Sequence, residues 1–276
     1  METTTMVWFT ENTNGNNMKI QLLRENQTVI DKRDLEKISL AEDYLNDRFH
    51  LETEKLTKLE IQKNPMRSDI INFILKQFSR ETSYLEIGVR HTEENFDLIK
   101  ASKKYSVDPG YESEINNVDF QMTSDEFFAE LRAGKILNQN IKFDVVFIDG
   151  SHLANQVSKD IENALYYLAD DGYIVMHDCN PPTEFHASEN YYYRLSPSGG
   201  FWNGTTWKAF VNARKRTDIY SCCIDSDWGV GVLSKNKDFG HATDVKNDFY
   251  EFYIFAENRK KSLNLITFED FTEFFK

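Results

Sequence analysis

Apolar and polar positions alternate between a helical and a strand period along this chain. Two short β-prone runs, Thr5 to Thr10 and Met18 to Leu23, flank an Asn-rich turn at Gly15 and predict a hairpin. A charged, helix-favouring stretch follows from Asp31 to Gln62. The character changes near Asn64-Pro65, where Ile70, Ile71, Phe73, Ile74 and Phe78 form a helical stripe leading into the apolar run Ser83 to Val89, a buried strand. Tyr105 to Asp108 and Val118 to Met122 read as further strands, and Ser124 to Lys135 as a helix with Ser124 as its N-cap. Phe143 to Asp149 is an apolar run of the kind a strand covered on both faces shows.

Val157, Ile161, Ala164, Leu165 and Leu168 recur at helical spacing, Asp171-Gly172 marks the expected stop, and Tyr173 to Asp178 resumes as a strand. Strand, helix and strand in this order imply a parallel sheet with right-handed crossovers. A long loop with Pro181-Pro182 and Gly199-Gly200 precedes a helix from Thr205 to Arg214. The closely joined strands Ile219 to Asp225 and Trp228 to Ser234 must be antiparallel. Asp248 to Lys276, rich in Phe and Tyr on a charged background, reads as amphipathic helices covering a core or a partner, the core being the ordinary case.

Composition narrows the class. A chain of 276 residues with 40% hydrophobic content fills one sizeable core, and a net charge of −13 disfavours a phosphate backbone as partner. Cys179, Cys222 and Cys223 form no disulfide framework, and neither a signal peptide nor a long uncharged apolar run is visible, so a soluble cytoplasmic protein without membrane partner is expected.

Ligands of an open α/β sheet bind beyond the carboxyl ends of its strands. Polar residues stack at those ends here: Glu86, Gly88, Arg90 and His91; Asp108-Pro109-Gly110; Ser124 and Asp125; Asp149, Ser151 and His152; His177, Asp178, Cys179 and Asn180. Gly88 allows close backbone approach, Thr92 is placed to cap a following helix whose N-terminus favours an anion, and Asp108 is placed to accept from both hydroxyls of a ribose. Singly, a Gly after a strand or an Asp before Pro-Gly is usually only a turn.

The segments YLEIGVR, KYSVDPG, FDVVFIDGSH and DGYIVMHDCNPP, in this order over about residues 65–235, make the sequence resemble the class I S-adenosylmethionine-dependent methyltransferases. It looks closest to the small-molecule O-methyltransferase branch, of the macrocin and catechol O-methyltransferase kind. The resemblance implies an α/β fold with a Rossmann-like, doubly wound seven-stranded sheet, mostly parallel with an antiparallel last strand. It divides the chain into an N-terminal hairpin and helical extension (1–63), a methyltransferase domain (64–240) and a C-terminal helical segment packing on the core (241–276).

By position, Glu86 and Gly88 are implied at the methionine end of S-adenosylmethionine, Asp108 at the ribose, and Ser124 with Asp125 at the adenine, with Asp149 bordering the cofactor. Arg90 is a candidate ion-pair partner of the cofactor carboxylate. The first loop departs from the family in having no further glycine after Gly88.

Methyl transfer to a hydroxyl needs an aligned acceptor and a base. His152, assisted by Asp149, is the first candidate base, although a helix-start histidine bonded to backbone is an equally ordinary role. Asp149 and Asp178, with His177 or Asn180, offer ligands for Mg²⁺ or another divalent ion. Tyr191, Tyr192 and Tyr193 with Trp202 and Trp207 either lid an acceptor or cover the sheet edge.

The resulting expectation is an O-methyltransferase acting on a small-molecule or glycan acceptor, with homo-oligomerisation left open. The alternatives are an inactive binding or scaffold protein and an NAD-dependent oxidoreductase, against which the missing GxGxxG weighs.

Overall fold

The computed structural model describes residues 6–11, 18–23, 32–112, 117–191 and 196–276. The turn at Gly15 and the residues Tyr192 and Tyr193 lie outside the described residues. The chain divides into two compact units, residues 1–48 and 49–276.

In the first unit β1 (Met6–Glu11) pairs antiparallel with β2 (Met18–Leu23), Met6 opposite Leu23 and Glu11 opposite Met18, as the hairpin pattern predicts. Helix α1 (Lys32–Leu45) follows.

The second unit opens with α2 (Arg48–Ile61) and α3 (Arg67–Leu75) and is organised by one sheet. Its strands are β3 (Ser83–Ile87), β4 (Lys103–Val107), β5 (Phe143–Ile148), β6 (Leu168–Met176), β7 (Tyr220–Ile224), β8 (Val230–Ser234) and β9 (Leu265–Ile266). They lie in the order β4-β3-β5-β6-β8-β7-β9. All neighbours are parallel except at β8, which runs antiparallel to both β6 and β7. The expected seven-stranded, mostly parallel, Rossmann-like sheet is therefore present, with its antiparallel strand one place in from β7.

Alternation along the strands builds a core on each face. Leu85, Ile87, Val146, Ile148, Ile174 and Met176 pack with α4 (Ser124–Arg132), α5 (Ala154–Tyr167) and α6 (Thr206–Ala213) through Phe127, Leu131, Ile161 and Phe210. Tyr84, Val145, Phe147 and Val175 point the other way, against Ile70, Ile71 and Ile74 of α3 and Phe271 of the C-terminal segment. Helices on both faces make the sheet doubly wound. Fully burying each such side chain stabilises the fold by about 1.5–3 kcal/mol.

Several local expectations are corrected. Val118 to Met122 is no strand; only Phe120 bridges Val107, because the Asp119 carboxylate takes the Ser106 N–H and O–H, each at 2.9 Å, and so occupies ladder donors. The seventh strand comes instead from β9, inside the segment expected to be wholly helical. That segment also contains α7 (Phe252–Glu257), α8 (Arg259–Leu263) and α9 (Phe268–Glu273).

Thr92 begins no α-helix: two 3₁₀ turns, Thr92–Glu94 and Phe96–Leu98, stand there, and Thr92 Oγ1 donates to Asp97 rather than capping. The N-cap of α4 is Thr123, in a capping box with Glu126, not Ser124. Helix α5 ends at Tyr167, before Gly172; a Cβ there would lie 2.9 Å from the Asp144 carbonyl, so this glycine serves the irregular pairing of β5 with β6 instead of a helix stop.

Candidate active site

The carboxyl ends of β4, β3, β5 and β6 are laced to one another. Gly88 N–H donates to Val107 O, Asp149 N–H to Ile87 O and His177 N–H to Ile148 O. This brings the residues following those strands together at one edge of the sheet. Gly88, at φ +89°, is needed because a Cβ would lie 2.3 Å from the Asp149 carbonyl and Gly150 Cα. Its close approach is thus to the β5 turn.

At the centre stand Asp149, His152, His177 and Asp178. His177 Nδ1 lies 3.3 Å from Asp149 Oδ1 and 3.2 Å from Asp178 Oδ2, and its Nε2 lies 3.2 Å from Asp227 Oδ1. His152 Nδ1 donates to the Trp202 carbonyl at 3.0 Å and is 3.4 Å from Asp178 Oδ2, while Nε2 faces Asp149 Oδ1 at 3.5 Å. Its ring stacks on Trp202 with centroids 4.9 Å apart. Asp178, in left-handed backbone at φ +60°, is held by Asn203 Nδ2 donating to Oδ1 at 2.6 Å. One ligand atom from each of Asp149, His152 and Asp178 lies within 4.8 Å of the others, a spacing that suits a shared cation.

Arg67, at the start of α3, reaches this cluster. Its backbone N–H and its guanidinium donate to Asp227 at 2.8 and 3.2 Å, and Nε is 3.8 Å from Asp149 Oδ2. Asp227 and Trp228 occupy left-handed backbone at φ +43° and +63° in the β7–β8 turn. That turn is pinned by Trp228 N–H donating to Glu60 and Ser226 Oγ donating to Pro65 O.

Three carboxylates here face Arg67 and two histidines. Burial opposes charge on His152, yet Asp178 and Asp149 outweigh it and lift its pKa from 6.5 to about 9. Burial opposes charge on His177 too, and Asp178 and Asp149 again prevail, raising it well above 6.5. Burial likewise works against ionised Asp149, but His177, His152 and Arg67 hold it well below the usual carboxylate range.

Beside the cluster, Glu86 is 2% exposed, and burial pushes its carboxyl up from 4.5 to about 7 against hydrogen bonds from Tyr84 and Asn95. Asp108 accepts from Val89 N–H at 3.1 Å through Oδ2 and from Gly110 N–H at 2.6 Å through Oδ1. Ser124 and Asp125 are tied to α5 by Gln156, and Asp125 also by Lys159. Arg90 pairs with Glu94 at 2.8 Å in an exposed contact.

The structure thus brings Asp149, His152, His177 and Asp178 together, whereas Arg90, Ser124 and Asp125 have protein partners of their own. Asn180 is committed elsewhere, accepting from Arg259 and donating to Asp225. Of the aromatic residues, Tyr191 stands 5.0 Å from the Trp202 ring, while Trp207 is buried beneath Phe255 as core. Arg67, Asp227, Asn203, Tyr84 and Asn95 escaped the sequence reading. The one available signal was the DSDWG turn, whose acidic residues lie where a hairpin needs only a glycine.

Residues 80–179 match the family model described as a methyltransferase domain. Over those residues the chain is similar to a methyltransferase domain. No curated protein matches the chain at significant similarity. Solved structures similar to this chain include an O-methyltransferase of Bacillus cereus in complex with S-adenosylhomocysteine, 13% identical, covering 73% of this chain and 100% of that one at TM-score 0.39. The S-adenosylhomocysteine-bound methyltransferase PaMTH1 of Podospora anserina is 12% identical, covering 77% and 99% at 0.42. MycE, a methyltransferase of the mycinamycin biosynthetic pathway with Mg, S-adenosylhomocysteine and mycinamycin VI, is 14% identical, covering 87% and 71% at 0.39. Among the described residues no helix is long and apolar enough to cross a membrane.

Proposed function

We propose that this methyltransferase transfers a methyl group from S-adenosylmethionine to a hydroxyl of a small molecule or glycan. The observation that carries the reading is the convergence of Asp149, His152, His177 and Asp178 at the sheet's carboxyl edge, next to Glu86 and Asp108, within a methyltransferase domain. The antiparallel β8 between β6 and β7 weighs against the nicotinamide alternative.

The cofactor supplies an electrophilic methyl on sulfur. The residues fit it: backbone donation from Val89 and Gly110 fixes the Asp108 carboxylate at the end of β4, where a ribose would lie, and Glu86 brings a buried carboxyl to the methionine end. Ser124 and Asp125 would border the adenine. Arg90 would reach the cofactor carboxylate by leaving Glu94, an exposed pair worth about 0–1 kcal/mol.

His152 is assigned as the base. With Nδ1–H held by the Trp202 carbonyl, Nε2 is the atom that takes the acceptor's proton, and the Trp202 ring fixes the imidazole plane. Asp149, Asp178 and His177 are assigned to a divalent ion such as Mg²⁺, which would acidify the acceptor hydroxyl. Donation from His177 Nε2 to Asp227 is the outer contact a ligating imidazole needs. A divalent ion held there would supply positive charge beside the same carboxylates and so would favour a neutral, basic His152.

The three buried free thiols and the charge of −13 support a cytoplasmic enzyme without nucleic-acid partners. A second reading, binding without turnover, is favoured by the two 3₁₀ turns that replace a helix after β3.

The test is transfer of labelled methyl to a panel of hydroxylated acceptors, with Mg²⁺ or with chelator. Transfer is expected to fall about 10²-fold or more in His152→Ala while S-adenosylhomocysteine still binds. Undiminished transfer would remove His152 as base, and binding without any transfer would support the second reading.

A further inference from the structure

The backbone of Trp228 is strained. It is left-handed at φ +63°, where a bulky side chain is a genuine outlier, and Asp227 before it and Gly229 after it are left-handed too, at +43° and +89°. Two backbone hydrogen bonds fix the residue: Trp228 N–H donates to Glu60 at 3.0 Å, and Asn180 N–H donates to Trp228 O at 2.9 Å. Glycine could make both without strain. Only the ring calls for tryptophan. It stacks on Phe201, with centroids 5.3 Å and planes 20° apart, and lies 5.5 Å from the His186 ring. Phe201 is 43% exposed, so this stack is not a core contact.

The stack ends a short strip that runs across the site. Phe201, Trp202 and Asn203 are consecutive, and their side chains go in turn to the Trp228 ring, to the His152 ring and, through Nδ2 at 2.6 Å, to Asp178. At its carboxyl end the strip is tied to the His186 carbonyl, which accepts from Asn203 and Gly204 N–H at 3.0 and 3.1 Å. Its amino end follows Gly199 and Gly200, both left-handed, with open space where side chains would stand. Beyond the turn bond from Phe201 N–H to Ser198 O, that end is held by the Trp228 ring. Trp202, in the middle, makes two contacts that orient His152: its carbonyl accepts from Nδ1 and its ring lies on the imidazole.

We propose that Trp228 is a positioning residue for the base: its ring holds the glycine-flanked end of the Phe201–Asn203 strip, so that Trp202 keeps the His152 imidazole in one orientation. The inference rests on the assignment of His152 above. The left-handed turn then serves both sides of the site, setting Asp227 against His177 at 3.2 Å and the next side chain against the strip.

The experiment is nuclear magnetic resonance of the full chain with isotopically labelled histidine, reading solvent exchange of His152 Nδ1–H, with His152→Gln to assign the signal. Wild type is expected to show a protected Nδ1–H. Trp228→Gly removes the ring where glycine is unstrained and should speed that exchange about three- to tenfold, the effect of losing one aromatic pair. Trp228→Phe should restore protection, and the backbone amides of β5 and β6 should keep theirs throughout. Phe201→Ala should match Trp228→Gly, and the double variant should go no further, because both remove one contact. Should Trp228→Gly fail to fold, Phe201→Ala, at an exposed side chain, carries the comparison. Exchange within about twofold of wild type in either folded variant, or additive effects in the double variant, would overturn the proposal. So would equal loss of protection in β5 and β6, which would make the role structural. Methyl transfer that survives His152→Ala would instead remove the base assignment and leave the positioning result standing.

Discussion

Asp227→Asn tests whether the charge network around His177 holds the site together. The substitution keeps an oxygen to accept the Arg67 backbone N–H at 2.8 Å and suits the left-handed backbone, but it removes the charge facing the Arg67 guanidinium and His177 Nε2, both at 3.2 Å. Burial works against ionised Asp227, and His177 and Arg67 overcome it, lowering its pKa from 3.8 to about 2. With its side chain only 2% exposed, that shift of just under two units corresponds to roughly 2.5 kcal/mol of folding stability at about 1.4 kcal/mol per unit.

Because the folded-state value is the depressed one, the contribution is complete above about pH 4 and is lost as pH falls through 2. Urea unfolding at pH 7 and pH 5 should therefore show Asp227→Asn about 2.5 kcal/mol less stable than wild type at both. A difference under about 0.5 kcal/mol at pH 7, or one that widens on acidification, would refute the reasoning.

Two further predictions concern the frame. Thr57 O–H donates to Thr53 O at 2.8 Å, so His186 Nε2–H donates to Thr57 while Thr183 O–H donates to Nδ1, leaving no place for a second ring proton. Burial lowers its pKa from 6.5 to about 4, so this imidazole withdraws about 3 kcal/mol of stability as pH falls between those values, while Glu86, raised from 4.5 to about 7, acts in the opposite sense. His186→Gln should therefore lose about 3 kcal/mol less than wild type over that fall in pH, and an equal change in both proteins would exclude the residue. Gly88→Ala should destabilise by about 2–5 kcal/mol, from left-handed strain plus the clash with Asp149 and Gly150. Thermal unfolding at wild-type temperature would show that β3 and β5 are not in the close register described.

The central strands were legible because they carry concentrated apolar runs and α5 carries its own helical stripe, as in Val145 to Ile148, Tyr173 to Met176 and Val157 to Leu165. The bridge at Phe120 was not, since a side chain, Asp119, takes the place of the ladder. Neither was β9, whose two residues inherit their pairing from β7. In the site, the residues following strand ends could be read from sequence because topology alone gathers them. Arg67 and Asp227 arrive from 160 positions apart in the chain, and only tertiary packing brings them to His177. Asn95 faces inward through a break in helical geometry that its sequence, TEENF, conceals.

Isothermal titration of the full chain with S-adenosylhomocysteine, alongside NAD and with Asp108→Ala as control, tests the cofactor assignment most directly. The expected result is micromolar binding of S-adenosylhomocysteine, no binding of NAD, and a loss of about 1–3 kcal/mol in the variant. Binding of NAD in its place, or S-adenosylhomocysteine affinity indifferent to Asp108, would contradict it.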